Sequence, residues 1–170
     1  MLTSQKIIDG LNEQIGHEFS AMLQYTAIAA HFDTEALPEL RAHFAIQAEE
    51  EKVHAHKFIK YVTDTGARIS IPAIPPPQCR FATAEEALKL SLQQEIKVTT
   101  QVNALVHLAK EEADYISDNF LQWFVQEQLE EVSSMQNLLS IVQRAGESNL
   151  LLVEEYLARA NGKKATGPGV

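Results

Sequence analysis

Residues 40–61, LRAHFAIQAEEEKVHAHKFIKY, decide the fold, because Leu40, Phe44, Gln47, Glu51, His54, Phe58 and Tyr61 recur at steps of three and four. That period lays all seven on one face of a helix. The face is apolar at its ends, but near its middle an amide, a carboxylate and an imidazole stand where hydrocarbon is expected. Three more segments carry the same rhythm. Ile8, Leu11, Ile15, Glu18, Met22, Tyr25 and Ala29 form one seam, and Leu88, Leu92, Glu95, Thr99, Val102, Val106 and Ala109 a second. Leu121, Phe124, Gln128, Glu131, Met135, Leu138 and Val142 form a third. Four amphipathic helices, each with polar residues near the centre of its buried face, predict an all-α four-helix bundle with a polar layer in its core.

Glycine and proline punctuate these segments rather than interrupt them. The first helix is expected over about residues 4–31 and the second over 38–65, opening on Pro38, a favourable first-turn residue. Their short joint makes them antiparallel. Pro72, Pro75, Pro76 and Pro77 then keep residues 66–82 extended. At roughly 3.3 Å per residue this stretch reaches about 55 Å, enough to return along a helix of about 42 Å. The third helix therefore runs parallel to the second, from a capping box made by Thr83 and Glu86. A tight joint at 112–114 opens the fourth helix, which ends before Gly146. A short fifth helix at about 149–160 completes a single bundle domain over 1–160, and 161–170 reads as a flexible tail. One long crossover between two hairpins is the resulting topology. A shift of 77 residues supports it, carrying Glu18 onto Glu95, Glu51 onto Gln128, His54 onto Glu131, Leu11 onto Leu88 and Phe44 onto Leu121.

A chain of 170 residues suits one domain with a real core. The lone Cys79 excludes an intramolecular disulfide framework and any CxxC motif. The formal charge of -9 argues against nucleic acid and anionic lipid as partners and favours cations. No stretch is long and apolar enough to cross a membrane, and the amphipathic, charged N-terminus has no signal core. A soluble, cytoplasmic protein is expected.

Glu18, Glu51, Glu95 and Glu131 with His54 form a core layer that no lysine or arginine on the four seams compensates. Ionised carboxylates in a low-dielectric interior require balancing charge, and two divalent cations would supply it. Carboxylate, imidazole and amide donors suit iron or manganese, whereas the absence of thiolates disfavours structural zinc. Glu51 and His54 lie three apart and can approach one metal, with Glu18 and Glu95 facing them. The competing explanation is a hydrogen-bonded polar layer that fixes helix register.

LNEQIGHEFSAMLQY at 11–25, EEEKVHAHKFIKYVTDTG at 49–66 and NFLQWFVQEQLEEV at 119–132 resemble the non-haem bacterial ferritins, and the likeness covers nearly the whole chain. The resemblance implies a ferritin-like bundle that oxidises ferrous iron with dioxygen or peroxide and stores ferric mineral in a hollow 24-subunit shell. It implies that Glu18, Glu51 and His54 hold a first iron, with Glu51 bridging to a second at Glu95 and with Gln128 and Glu131 nearby. Tyr25 matches the tyrosine beside that centre. A third iron site would use Glu50, Glu127 and Glu130 with Glu131. The fifth helix would line the shell's fourfold axis. Haem is not expected, since Lys52 stands where bacterioferritins carry the haem-ligating Met and Gln128xxGlu131 replaces their second ExxH. Tyr25 and Trp123 are candidate electron donors, each with packing as the alternative role. Two other functions compete: a non-catalytic iron- or manganese-buffering scaffold, and a small di-iron oxygenase.

Overall fold

The computed structural model describes residues 2–165. Five helices account for most of them: α1 (Gln5–Thr34), α2 (Pro38–Asp64), α3 (Ala84–Glu111), α4 (Tyr115–Ala145) and α5 (Leu150–Ala165), the last preceded by a 3-10 turn at Glu147–Asn149. Side-chain caps open three of them. Ser4 accepts from the Ile7 amide, Thr83 from Glu86 and Asp114 from Ser117, which satisfies donors that a helix start leaves unpaired. The fifth helix runs five residues past the expected end at 160, through Asn161 and Gly162 to Ala165. The remainder of the expected tail lies outside the described residues.

The two hairpin joints have the same construction. Ala36 and Ala113 both adopt the left-handed conformation, at φ 57° and 52°. Around them Leu37 N–H bonds to Phe32 O (2.9 Å) and Asp114 N–H to Ala109 O (2.8 Å), and the amides of Glu35 and Glu112 bond to His31 O and Leu108 O. Each residue of one joint maps onto the other by the 77-residue shift, so the repeat extends to the backbone.

Side-chain contacts fix the directions. Phe32 meets Phe44 across α1 and α2, Tyr61 meets Phe120 across α2 and α4, Glu85 meets Gln143 across α3 and α4, and Tyr25 meets Glu95 across α1 and α3. Every neighbouring pair is antiparallel, which leaves α2 and α3 parallel, as expected. Their N-termini therefore share one end of the bundle, where the chain leaves α4. Glu147 accepts from the amides of Ala84 and Glu85 at 3.1 Å, and Glu154 on α5 accepts from those of Glu39 and Leu40 at 2.8 and 2.9 Å. Two carboxylates thus pin the C-terminal segment to the positive ends of α3 and α2.

The crossover lies against a polar stripe of α1. Asn12 accepts from the Ser70 amide, Gln24 bonds to both the amide and the carbonyl of Gln78, and Gly16 leaves room for the Pro72 ring. On α3 the buried face is Ala84, Ala87, Leu88, Ser91, Glu95, Val98, Val102, Leu105 and Ala109. Ser91, Val98 and Leu105 turn inward more fully than the expected Leu92, Thr99 and Val106. The helix is rotated toward α1, where Leu105 fills the space beside Gly10. The core divides into two apolar clusters, one around Phe32, Phe44, Leu88 and Met135, the other around Ile15, Phe58, Val102 and Phe124. The polar layer lies between them.

Candidate metal centre

Glu18 from α1, Glu51 and His54 from α2, Glu95 from α3, and Gln128 and Glu131 from α4 are all buried. Each stands on its helix's inward stripe, so the periodicity that packs the core also drives these polar groups inside. Ligand atoms of Glu18, Glu51 and His54 lie within 4.8 Å of one another. His54 Nδ1 is 3.4 Å from Glu51 Oε2 and 3.8 Å from Glu18 Oε2. A second group of that size joins His54, Glu127 and Glu131, with His54 Nε2 4.0 Å from Glu127 Oε1.

Hydrogen bonds hold the rest of the layer. The Tyr25 hydroxyl donates to Glu95, and Gln128 Nε2 donates to Glu95 Oε2 (3.1 Å), to the Glu95 carbonyl (3.2 Å) and toward Thr99 Oγ1 (3.3 Å). Gln14, a turn before Glu18, donates to its Oε1 at 2.7 Å. Among the described residues, Glu18 Oε2 is a buried oxygen with no hydrogen-bond partner. Leaving such a group unpaired costs about 1–3 kcal/mol or more. A cation between Glu18, Glu51 and His54 would remove that penalty, so the donor set and the orphaned oxygen both fit a metal ion. A purely register-fixing polar layer would leave Glu18 Oε2 without a hydrogen bond, with only the 3.8 Å approach of His54 to balance it.

Burial dominates the electrostatics. It pushes the Glu51 carboxyl well above its ordinary value, with Glu18 and Glu95 adding repulsion against the pull of His54. Glu95 is raised by burial against the hydrogen bonds of Tyr25 and Gln128. Burial, then the charges of Glu95 and Glu50, carries Glu131 up to about 8. The His54 imidazole would fall on burial, but the facing carboxylates of Glu18 and Glu51 override this and raise it to about 10. Burial, then the charge of Glu95, raises the Tyr25 phenol, so it stays a proton donor.

The expected third-site residues divide. Glu127 joins His54 and Glu131, whereas Glu50 is exposed, accepts from Gln47 and acts on Glu131 through its charge. Glu130 is exposed and enters neither ligand group among the described residues. Trp123 packs edge-on against the His54 ring at 5.5 Å, with Lys57 Nζ 3.5 Å over its indole. A groove of about 560 Å³ between α2 and α4 reaches His54, Glu50 and Glu127 from the surface. Another, of about 730 Å³, is lined by Val53, Tyr61, Phe120 and Trp123 and includes none of the buried carboxylates. The sequence reading missed Gln14. Its position four residues before Glu18 is the signal that could have found it.

Fold and site together define a class: helical bundles that carry in the core a carboxylate-and-imidazole cluster able to hold a metal ion. Residues 8–145 match the ferritin-like domain family. The chain is 43% identical over 161 residues to ferritin BfrB of Mycolicibacterium smegmatis, covering 93% of this chain and 88% of that protein. It is 35% identical over 155 residues to a bacterial non-heme ferritin of Staphylococcus aureus, covering 91% and 93%. An open pore ferritin from the hyperthermophilic archaeon Archaeoglobus fulgidus superposes with a TM-score of 0.88 at 30% identity, over 92% of this chain and 96% of that one. The chain belongs to the ferritin family, and its bacterial ferritin relatives support iron storage as the function. Among the described residues no helix is long and apolar enough to cross a membrane.

Proposed function

We propose that this protein is a ferroxidase that stores iron: ferrous iron binds the buried centre, loses electrons to dioxygen or peroxide, and passes as ferric iron into a mineral held by a 24-subunit shell. The observation that carries the proposal is the unpartnered Oε2 of Glu18, buried beside Glu51 and His54. That pocket takes the first ferrous ion, which displaces the protons held there by His54 and Glu51. Both Glu95 oxygens are engaged, one by Tyr25 and one by Gln128. The second ion therefore binds after Glu95 exchanges a hydrogen bond for a metal bond, with Glu51 bridging and Glu131 and the Gln128 carbonyl available on α4. Two metal ions held together place two one-electron donors on one oxidant. Tyr25 is suited to give a further electron to that oxidant, its proton passing to Glu95.

Glu127, with His54 and Glu131, is positioned for a third ion toward the groove; Glu50 and Glu130 would close that site only by swinging inward. Anaerobic loading with ferrous iron followed by oxygen tests the proposal. Rapid oxidation is expected, slowed roughly tenfold or more in Glu51→Ala and His54→Ala. Ferrous binding with unchanged, slow oxidation in all three proteins would instead make the chain a buffering scaffold.

A further inference from the structure

The structure assigns to Gln14 a task in the centre: it decides which oxygen of Glu18 is offered to a cation. Gln14 and Glu18 are each 1% exposed and one turn apart on α1, and the Gln14 amide donates to Glu18 Oε1 at 2.7 Å. The other oxygen, Oε2, faces His54 and has no hydrogen-bond partner among the described residues. An amide nitrogen donates at every pH, so Oε1 stays engaged whether or not metal is present. Glu18 is thereby restricted to one ligand atom, and coordination positions remain for Glu51 and for an oxidant.

The two halves of the bundle differ on this point. The 77-residue shift places Ser91 where Gln14 stands, and the Ser91 hydroxyl donates to the Ala87 carbonyl instead. Glu95 receives its donors from other helices, Tyr25 on α1 and Gln128 on α4. Gln14 is thus a positioning residue that sets the two carboxylates, and the two ions they hold, apart. Fixing a ligand through its second oxygen is a known means of tuning a metal site.

The assignment rests on the metal-centre reading, and titration with Co²⁺ separates the two. The visible bands of Co²⁺ report its coordination number without turnover, and they lose intensity as that number rises. In the full-length protein, Gln14→Met keeps the side-chain length and removes the donor, while Ser91→Ala removes a buried hydroxyl at the equivalent place. Gln14→Met is expected to bind Co²⁺ roughly ten- to a hundredfold more weakly with bands of lower intensity, as Glu18 becomes bidentate. Ser91→Ala is expected to match the parent. A Gln14→Met protein that melts lower yet keeps the parent's spectrum and affinity would reduce Gln14 to packing and overturn the assignment. Should Gln14→Met fail to fold, Gln14→Asn, which keeps the amide but cannot span the same distance, must show the same two changes. A parent protein that takes up no Co²⁺ would overturn the metal-centre reading itself.

Discussion

Glu131 is lifted to about 8 because burial withholds the water its charge needs, and His54 is lifted to about 10 because two carboxylates face it. In the unfolded chain these groups titrate near 4.5 and 6.5. The folded apoprotein therefore holds more protons than the unfolded chain between each pair of values, and its stability falls as pH rises through that window. The contribution of Glu131 is intact below about 4.5 and lost by about 8; that of His54 is intact below about 6.5 and lost by about 10. A bound divalent ion reverses the sign, since it displaces the same protons and prefers the deprotonated ligands. Adding Zn²⁺, which has no redox chemistry, should raise the melting temperature more at pH 8 than at pH 6, with affinity rising up to about tenfold per pH unit for each proton released. Calorimetric scans of the apo and loaded protein at several pH values check this. A gain that shrinks with rising pH would mean the ion binds elsewhere.

At the scale of elements, the α4 seam was fully legible: Leu121, Phe124, Gln128, Glu131, Met135, Leu138 and Val142 are all buried. Three inward places on α3 were not, because a 3.6-residue period lets a seam drift by one position and only contact with α1 decides which residue turns inward. The stripe that receives the crossover was hidden for a different reason. Asn12, Gly16 and Gln24 stand off the apolar seam of α1, yet they bind backbone groups of Ser70 and Gln78 and admit Pro72. Within the centre, the buried carboxylates and His54 were evident from the seams, but Gln14 stands one residue off its seam and drew no notice. Two glycines on α1 test how tightly these faces fit. A Cβ at Gly16 would lie 2.4 Å from Cγ of the Pro72 ring, which cannot rotate away, whereas one at Gly10 would lie 2.7 Å from the free end of Leu105. Gly16→Ala should destabilise the protein by about 1–3 kcal/mol. Gly10→Ala should come out near neutral, since the gain in helix propensity, about 1 kcal/mol, offsets repacking of one leucine. Denaturant titration of both variants gives the comparison, and equal losses would contradict it.

The whole molecule leaves α5 half-solved. One side of it is fixed: Val153 and Leu157 are buried against the bundle, and the Glu154 carboxylate holds the first amides of α2. The other side presents Leu151, 76% exposed, Leu152 at 60% and Tyr156 at 45%. Among the described residues nothing covers these apolar groups on the outer side of a helix pinned to its own bundle along the other, and adjacent exposed apolar groups of this kind mark a contact with another protein. Further copies of the chain are the occupants that the proposed shell requires. Sedimentation of the parent protein should give one large, discrete particle, and Leu151→Ser combined with Leu152→Ser should shift it toward small oligomers. The proposed metal centre draws on residues of α1 to α4 within one chain. The same double variant should therefore still bind Co²⁺ and oxidise ferrous iron while failing to keep the ferric product in solution. Loss of both properties together would tie the centre to assembly. A parent protein that sediments as a monomer or dimer would remove the shell and leave a small iron-binding bundle.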